Sequence, residues 1–223
     1  MDRRSVALGL GSVGVLGIVA ACSRSGSAQA GQAAETAETA GNVRSDLYIC
    51  EGCEATAERA PASLTSSVTL APSGTPGERL RLTGRVLAAD GVTPAADVVI
   101  YAHQTNAQGL YADGSSESVW SRRHGRLRGW VRTGADGRYA FDTIKPAPYP
   151  DMTMPAHIHL FVQESGRRPY YVDDVVFDGE HGVDAAYRTH QELRGGSGIV
   201  RLTGNAEQGW SAVRDIRLER HPG

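Results

Sequence analysis

The stretch GWVRTGADGRYAFDTIKP, residues 129–146, places two short runs of strand-forming residues on either side of the turn Gly-Ala-Asp-Gly. The runs are 129–133 and 138–141, and each contains aromatic and small or β-branched side chains. Asp136-Gly137 is a dipeptide that favours the tight turn of a hairpin. The stretch therefore predicts a β-hairpin.

Strand signals of this kind recur along the chain, and no segment predicts a long amphipathic helix. The 27 glycines and 10 prolines supply the turns that many short strands require. One long irregular segment, 104–127, interrupts the pattern, and such loops in compact domains are often functional. The other predicted strands are 80–87, 98–101, 157–164, 171–177, 197–203 and 212–218. We therefore predict an all-β fold, a single β-sandwich domain with long loops.

The charge pattern excludes one class of function. The formal net charge is −2, and charges of both signs are interspersed along the chain. A nucleic-acid-binding surface would need a basic stripe, which this sequence does not contain. We expect no nucleic-acid partner.

Residues 1–22 have the features of an export signal. Arg3 and Arg4 precede an apolar stretch that is too short and too weakly hydrophobic to span a membrane. The run Val-Ala-Ala-Cys that ends at Cys22 resembles a lipobox, in which the cysteine carries lipid, and the two arginines resemble a twin-arginine signal. The alternative is a soluble periplasmic protein cleaved after Ala30. We expect a lipoprotein of the periplasm or cell envelope, which contacts the membrane only through its N-terminal lipid anchor.

Composition divides the remaining chain into three segments. Residues 23–46 are rich in small and polar side chains and nearly lack large apolar ones, which predicts a disordered, flexible tether. Residues 47–77 form an extension that contains Cys50 and Cys53. Residues 78–223 are long enough to form the single core.

The two cysteines of the extension, Cys50 and Cys53, are three positions apart. An oxidising compartment favours a local disulfide between them. A redox motif would require a βαβ context, and a zinc site would require a second pair of ligands, neither of which the sequence offers. A pair of free thiols is the remaining alternative.

The pair His157 and His159 suggests a metal site. Residues two apart on a strand point to the same face, so both imidazoles project together, about 6–7 Å apart along the backbone. A His-x-His motif alone is weak evidence and more often describes two surface histidines on an exposed strand. Two tyrosines favour the metal: Tyr149 lies among prolines that restrict its orientation, and Tyr111 lies in the long loop after a buried strand.

Several motifs in order resemble the intradiol ring-cleavage dioxygenases, the family of catechol and protocatechuate dioxygenases. The resemblance covers about residues 82–179. The segment 98–111 is similar to the family's first tyrosine-ligand region, 129–146 to the hairpin before its second tyrosine, and Pro-Ala-His-Ile-His, 155–159, to its histidine motif. The resemblance implies one Fe(III) per chain. The implied ligands are Tyr111, Tyr149, His157 and His159.

The resemblance also implies an activity. The substrates would be a small aromatic diol and O2, and the ring would be cleaved between its two hydroxyl-bearing carbons. Tyr111 and Tyr149 would be catalytic residues as well as ligands, with the Tyr149 phenolate acting as a base. A phenol is normally protonated near neutral pH, and a strongly charged cation stabilises its phenolate instead.

Two features of this chain depart from the family pattern. The catabolic enzymes place an arginine three residues before the first histidine, where this chain has Met154. A thioether supplies no charge, so Arg122, Arg123 and Arg132 are the candidates for that role. In place of the family's N-terminal helical dimerisation segment there are a signal, a tether and the cysteine pair. We expect an exported, stand-alone member whose oligomeric state stays open, a homodimer included.

The alternative function is a non-catalytic binding or interaction module at the cell envelope. Gly84-Arg-Val86 and residues 137–141 also resemble carboxypeptidase-regulatory-like sandwich domains, and a shared fold does not confer function. Among the remaining polar residues, His103 is expected either to line the pocket or to pack in the core. We expect His124 to be solvated. Asp173-Asp174 is acidic enough to suggest a cation site, but we expect a solvated strand end.

Overall fold

The computed structural model describes residues 43–111 and 117–223, which belong to one compact unit. No helix within these two ranges is long and apolar enough to cross a membrane. Two α-helices are present there, α1 (Val119–His124) and α2 (Ala185–Thr189), with short 3-10 helices at Cys53–Glu58 and Pro61–Ser63. The strands are β1 (Ser67–Thr69), β2 (Arg79–Leu87), β3 (Val99–Gln104), β4 (Arg128–Arg132), β5 (Arg138–Ile144), β6 (His157–Gln163), β7 (Tyr170–Phe177), β8 (Ile199–Val200), β9 (Thr203–Asn205), β10 (Gly209–Val213) and β11 (Ile216–Arg217).

The strands form two sheets within the described ranges. The first has the order β1-β5-β2-β10-β9, with β11 also pairing with β2, and the second has the order β4-β3-β6-β7-β8. Strand β2 alternates exposed and buried residues, with Leu80, Leu82 and Val86 inward, as expected when one face meets the core. In the second sheet His103 is opposite both Arg128 and His159.

The main core lies between the two sheets. Leu82 and Phe141 from the first sheet and Ile100, Leu160 and Val162 from the second are fully buried in one cluster. Burying each such side chain contributes about 1.5–3 kcal/mol. The all-β sandwich predicted from the sequence is confirmed.

The hairpin prediction for residues 129–146 is wrong in its pairing, although both strands exist. β4 pairs with β3 in the second sheet, whereas β5 pairs with β1 and β2 in the first. The turn at Asp136-Gly137 therefore carries the chain from one sheet to the other. Its local signal marks the turn but does not determine which sheet each strand joins.

The packed fold begins earlier than the predicted boundary at residues 46 and 47. Arg44 forms an ion pair with Glu219, and Asp46 forms one with Arg194 at 2.7 Å. Leu47 is fully buried in the main core. The tether prediction is thus too long at this end, and the rest of the tether and the signal lie outside the described residues. The predicted extension 47–77 is part of the sandwich, because β1 pairs with β5.

The outer face of the second sheet is also covered, and this covering positions the candidate site. Cys50 and Cys53 form a disulfide with a Cα–Cα distance of 5.8 Å. Cys53 packs in a small cluster with Tyr101, Trp130 and Phe161. All six residues of β3 are consequently buried, although only one face of the strand meets the main core.

Candidate metal centre

Four side-chain atoms converge where β3 and β6 meet the loops that follow β3 and β5. The Tyr111 hydroxyl oxygen lies 2.9 Å from the Tyr149 hydroxyl oxygen and 3.0 Å from His159 Nε2. His157 Nε2 lies 3.0 Å from His159 Nε2 and 3.4 Å from the Tyr149 hydroxyl oxygen. The structure therefore brings together the four residues that the resemblance singled out.

The hydrogen bond on the far side of each imidazole determines where its lone pair points. His157 Nδ1 is 2.8 Å from the carbonyl oxygen of Pro155, and His159 Nδ1 is 2.9 Å from Asp174 Oδ1. Both acceptors require a proton on Nδ1, so each neutral ring has an unprotonated Nε2. Two lone pairs thus face each other across 3.0 Å with no hydrogen between them. A cation between the rings would remove this repulsion.

The donor set and its spacing fit a metal ion. With metal–donor bonds of about 2.1 Å, neighbouring nitrogen and oxygen donors at right angles lie about 3.0 Å apart. The four measured separations run from 2.9 to 3.4 Å. Imidazole binds iron among other transition metals, and two phenolates would supply hard anionic oxygens that suit the ferric state. These donors therefore fit the Fe(III) that the resemblance implies.

A close approach of two loops places the tyrosines side by side. Thr105 donates to the Ala147 carbonyl oxygen at 2.8 Å, and the amide N–H of Ala147 donates to the Asn106 carbonyl oxygen at 3.1 Å. Gly109 has φ 75°, and a Cβ there would lie 1.9 Å from the Pro148 carbonyl oxygen. Only glycine allows this contact, because it lacks a side chain and tolerates positive φ.

Burial shapes the protonation of the cluster in the absence of metal. Desolvation raises the pKa of the Tyr111 phenol, and the neighbouring Tyr149 phenol raises it further. Desolvation also lowers the pKa of His157, with His159 as the next cause. Burial thus favours the neutral imidazole of His157, the form that binds metals. An incoming cation must displace phenol protons, so metal binding releases protons here.

Asp174 lies beside the candidate metal centre, contrary to the sequence-based expectation. We expected a solvated strand end, but its carboxylate accepts the hydrogen bond from His159 Nδ1, and both side chains are about three-quarters buried. His157, His159 and Asp174 each offer one ligand atom within 4.8 Å of the other two. The two predicted histidine ligands were a usable signal, because a metal-binding histidine almost always donates its other N–H to an acceptor.

His124 was expected to be solvated, which is wrong. It is 9% exposed, its Nδ1 lies 2.8 Å from the Tyr101 hydroxyl, and its ring stacks on His103 with centroids 3.8 Å apart. His103 is also buried, and its ring centroid lies 4.4 Å from that of His159. The stacked rings of His103 and His124 therefore lie between the candidate metal centre and the small cluster that contains Cys53 and Trp130.

The three arginines considered as replacements for the family arginine take different positions. Arg132 pairs with Asp97 and is opposite Val99, at the end of β3 remote from His103. Arg123 forms an ion pair with Glu51, and Arg122 is exposed on α1. Arg128, which is opposite His103 in the strand register, pairs with Glu58 at 2.6 Å. Met154 is 41% exposed.

Comparison with known proteins identifies the family. The model of a dioxygenase family matches residues 55–205, and curated relatives named as catechol and hydroxyquinol 1,2-dioxygenases match the chain. The chain belongs to the intradiol dioxygenase family. The recognition based on sequence motifs is therefore confirmed at the level of the family.

The relatives of this intradiol dioxygenase family member are distant. It is 37% identical over 171 residues to hydroxyquinol 1,2-dioxygenase of Rhizobium sp. (strain MTP-10005), which covers 65% of this chain and 56% of the relative. It is 30% identical over 132 residues to catechol 1,2-dioxygenase 1 of Acinetobacter lwoffii, which covers 49% of this chain and 40% of the relative. The chain thus spans about half the length of the curated relatives it matches.

Solved structures share the fold of this family member. The dioxygenase domain of a dioxygenase carbohydrate-binding protein fusion from Streptomyces sp. SirexAA-E superposes with a TM-score of 0.52 at 25% identity, covering 70% of this chain and 88% of that chain. Catechol 1,2-dioxygenase from Pseudomonas arvilla C-1 gives the same TM-score and identity, covering 70% of this chain and 57% of that chain.

Proposed function

We propose that this chain is a non-haem Fe(III) dioxygenase that uses O2 to cleave a catechol-type ring between its two hydroxyl-bearing carbons. The observation that carries the proposal is the convergence of two phenol oxygens and two unprotonated imidazole nitrogens within 2.9–3.4 Å of their neighbours. Membership of the intradiol dioxygenase family supports it. The ligands of the single ferric ion would be Tyr111, Tyr149, His157 and His159.

Ferric iron, when bound, supplies the Lewis acidity and electron-accepting capacity that make a catechol reactive toward O2. We assign Tyr149 as the base that accepts a substrate hydroxyl proton at its phenolate oxygen. That oxygen lies 2.9 Å from the Tyr111 hydroxyl oxygen and 3.4 Å from His157 Nε2. Both tyrosines would hold the ion, and Tyr149 would in addition accept the substrate proton.

The two histidines would direct their Nε2 lone pairs at the ion, because their Nδ1 protons are held by the Pro155 carbonyl and the Asp174 carboxylate. These bonds fix the ring orientations and the tautomers before substrate arrives. The protein thus supplies geometry and charge, and the ion supplies the reactive chemistry.

The test is oxygen uptake by iron-loaded protein with catechol and hydroxyquinol, with identification of the muconate-type diacid. The protein should also be burgundy, because phenolate-to-iron charge transfer absorbs across the visible range. Tyr149→Phe should shift or remove that band and abolish turnover, while Tyr48→Phe, which alters a phenol bonded to His221 outside the site, should do neither. A colourless, iron-free protein from iron-replete cells would instead favour the non-catalytic module.

We further propose that the chain is exported and anchored in the periplasm or cell envelope by lipid on Cys22. A disulfide at Cys50–Cys53 is compatible with an oxidising compartment and supports export. Wild-type protein should incorporate labelled palmitate and sediment with membranes, and Cys22→Ala should do neither. Wild-type protein that stays unlabelled in the soluble fraction would contradict the lipid anchor.

A further inference from the structure

A cavity of about 440 Å³ borders the candidate metal centre on the outer face of the second sheet. His159 forms part of its wall, so the cavity begins at a proposed iron ligand. Phe161, Tyr171 and Tyr187, the last in α2, contribute aromatic rings to its lining. Sites for small molecules have volumes of about 300–1,000 Å³. The cavity thus has room for an aromatic diol together with a ring substituent.

The polar lining of this cavity is strongly biased toward negative charge. Its lining includes four carboxylates and, within the described residues, neither lysine nor arginine. The four carboxylates belong to Glu51, Asp173, Asp174 and Glu192.

The neighbouring cations do not reverse this bias. The nearly fully buried Arg194 guanidinium pairs with both Glu192 and Asp46, so one positive charge is shared by two carboxylates. Arg123 likewise pairs with Glu51 from outside the cavity lining, so two guanidinium groups face the four lining carboxylates and Asp46. The side chains of Glu51 and Glu192 are 74% and 52% exposed at the mouth.

The disulfide loop places Glu51 at the cavity. Glu51 lies between the bonded Cys50 and Cys53, and Gly52 has φ 89°. A Cβ on Gly52 would lie 3.1 Å from His124 Cε1, so the loop packs directly on the buried imidazole. Cys53 is 5% exposed in the aromatic cluster. The cross-link therefore fixes one acidic residue of the mouth relative to His159.

We propose that this cavity selects catechols whose ring carries a cationic substituent, such as a protonated aminoalkyl chain, and disfavours catechols that carry a carboxylate. The carboxylates attract the cation, and the aromatic walls add favourable cation–π contacts. An anionic substituent would be repelled and would find no lysine or arginine on the cavity wall within the described residues. This inference deepens the proposed ring-cleavage function and rests on it.

The experiment compares three catechols that differ only at ring position 4, where they carry an aminoethyl, an ethyl or a carboxymethyl group. For the iron-loaded protein, kcat/KM for oxygen uptake is measured with each at low and high salt. Anaerobic calorimetry gives the Kd of each catechol as a second readout. The variants are Glu51→Gln and Glu192→Gln, with Glu207→Gln as the matched control on the exposed loop between β9 and β10.

Wild-type protein should prefer the aminoethyl over the carboxymethyl catechol in both kcat/KM and Kd. A carboxylate about 6 Å from the substituent in a water-like medium gives about a tenfold preference between the two charges, and each cavity variant should lose about that factor. Salt should reduce the preference, and Glu207→Gln should leave it unchanged.

Turnover of the neutral ethylcatechol separates the two proposals. If it is cleaved but the charged pair shows no preference, or one that both glutamate variants retain, the inference about the cavity is overturned and the enzyme assignment stands. If no catechol is cleaved but the charge preference in Kd persists and falls in the variants, the cavity assignment stands and the enzyme assignment fails. No binding of any catechol would overturn both.

Discussion

The hydrogen bond between His159 and Asp174 predicts a measurable effect on iron affinity. Replacing Asp174 with Asn keeps an oxygen that accepts from Nδ1 at the observed 2.9 Å but removes the negative charge. Losing an outer partner of a histidine ligand typically costs about 10–100-fold in metal affinity, or about 1.4–2.7 kcal/mol. Because the side chains of His159 and Asp174 are 24% and 25% exposed, solvent weakens the interaction. We therefore expect a loss of about 10–30-fold.

The assay is a competition between the protein and a ferric chelator, followed through the visible charge-transfer band. Asp142→Asn is the matched control, because it removes a carboxylate that pairs with Arg81 on the other sheet. Urea unfolding of the metal-free proteins shows whether either change acts through stability. Equal iron affinities for wild-type and Asp174→Asn protein, or an equal loss in the Asp142→Asn control, would show that the Asp174 charge does not strengthen iron binding through His159.

Three further predictions concern the loops, the buried histidine and the missing arginine. Gly109→Ala should lower the unfolding free energy by more than about 1 kcal/mol and abolish iron binding, because its Cβ would meet the Pro148 carbonyl oxygen. The control Gly166→Ala, which has a similar φ and open space around it, should cost only about 1 kcal/mol in urea unfolding. Burial lowers the pKa of His124 from 6.5 to about 4, so its stabilising contribution is complete above pH 6.5 and is lost as pH falls toward 4. Unfolding free energy should therefore fall by about 1 kcal/mol per pH unit more steeply in wild type than in His124→Gln across that window. Met154→Arg should raise kcat/KM for simple catechols, and Met154→Leu should leave it unchanged; no gain with arginine would show that another residue stabilises the activated substrate.

The strands could be predicted from the sequence because their signals are local. The predicted strand 80–87 corresponds to Arg79–Leu87, and the run at 98–101 begins the buried strand Val99–Gln104. Alternation with a period of two and turn dipeptides act over a few residues. The partner of each strand depends on contacts between distant parts of the chain, which explains why β4 and β5 were wrongly joined in a hairpin. The packing of Leu47 and β1 into the sandwich is long-range in the same way.

The site residues divide along a similar line. The two-residue spacing of His157 and His159 and the order of the surrounding motifs pointed to four residues that the structure brings together. Asp174 escaped because its role depends on β7 lying beside β6, a pairing that contains a register irregularity. His124 escaped because a short helix at the end of a long loop carries no hydropathy signal that would predict its burial against His103.

The most direct test of the proposed four-residue iron site is a crystal structure of the iron-loaded protein with anomalous diffraction data on both sides of the iron edge. One anomalous peak per chain is expected. It should lie about 2 Å from the hydroxyl oxygens of Tyr111 and Tyr149 and from the Nε2 atoms of His157 and His159. Iron bound elsewhere, or a peak that either phenol oxygen fails to reach, would contradict it.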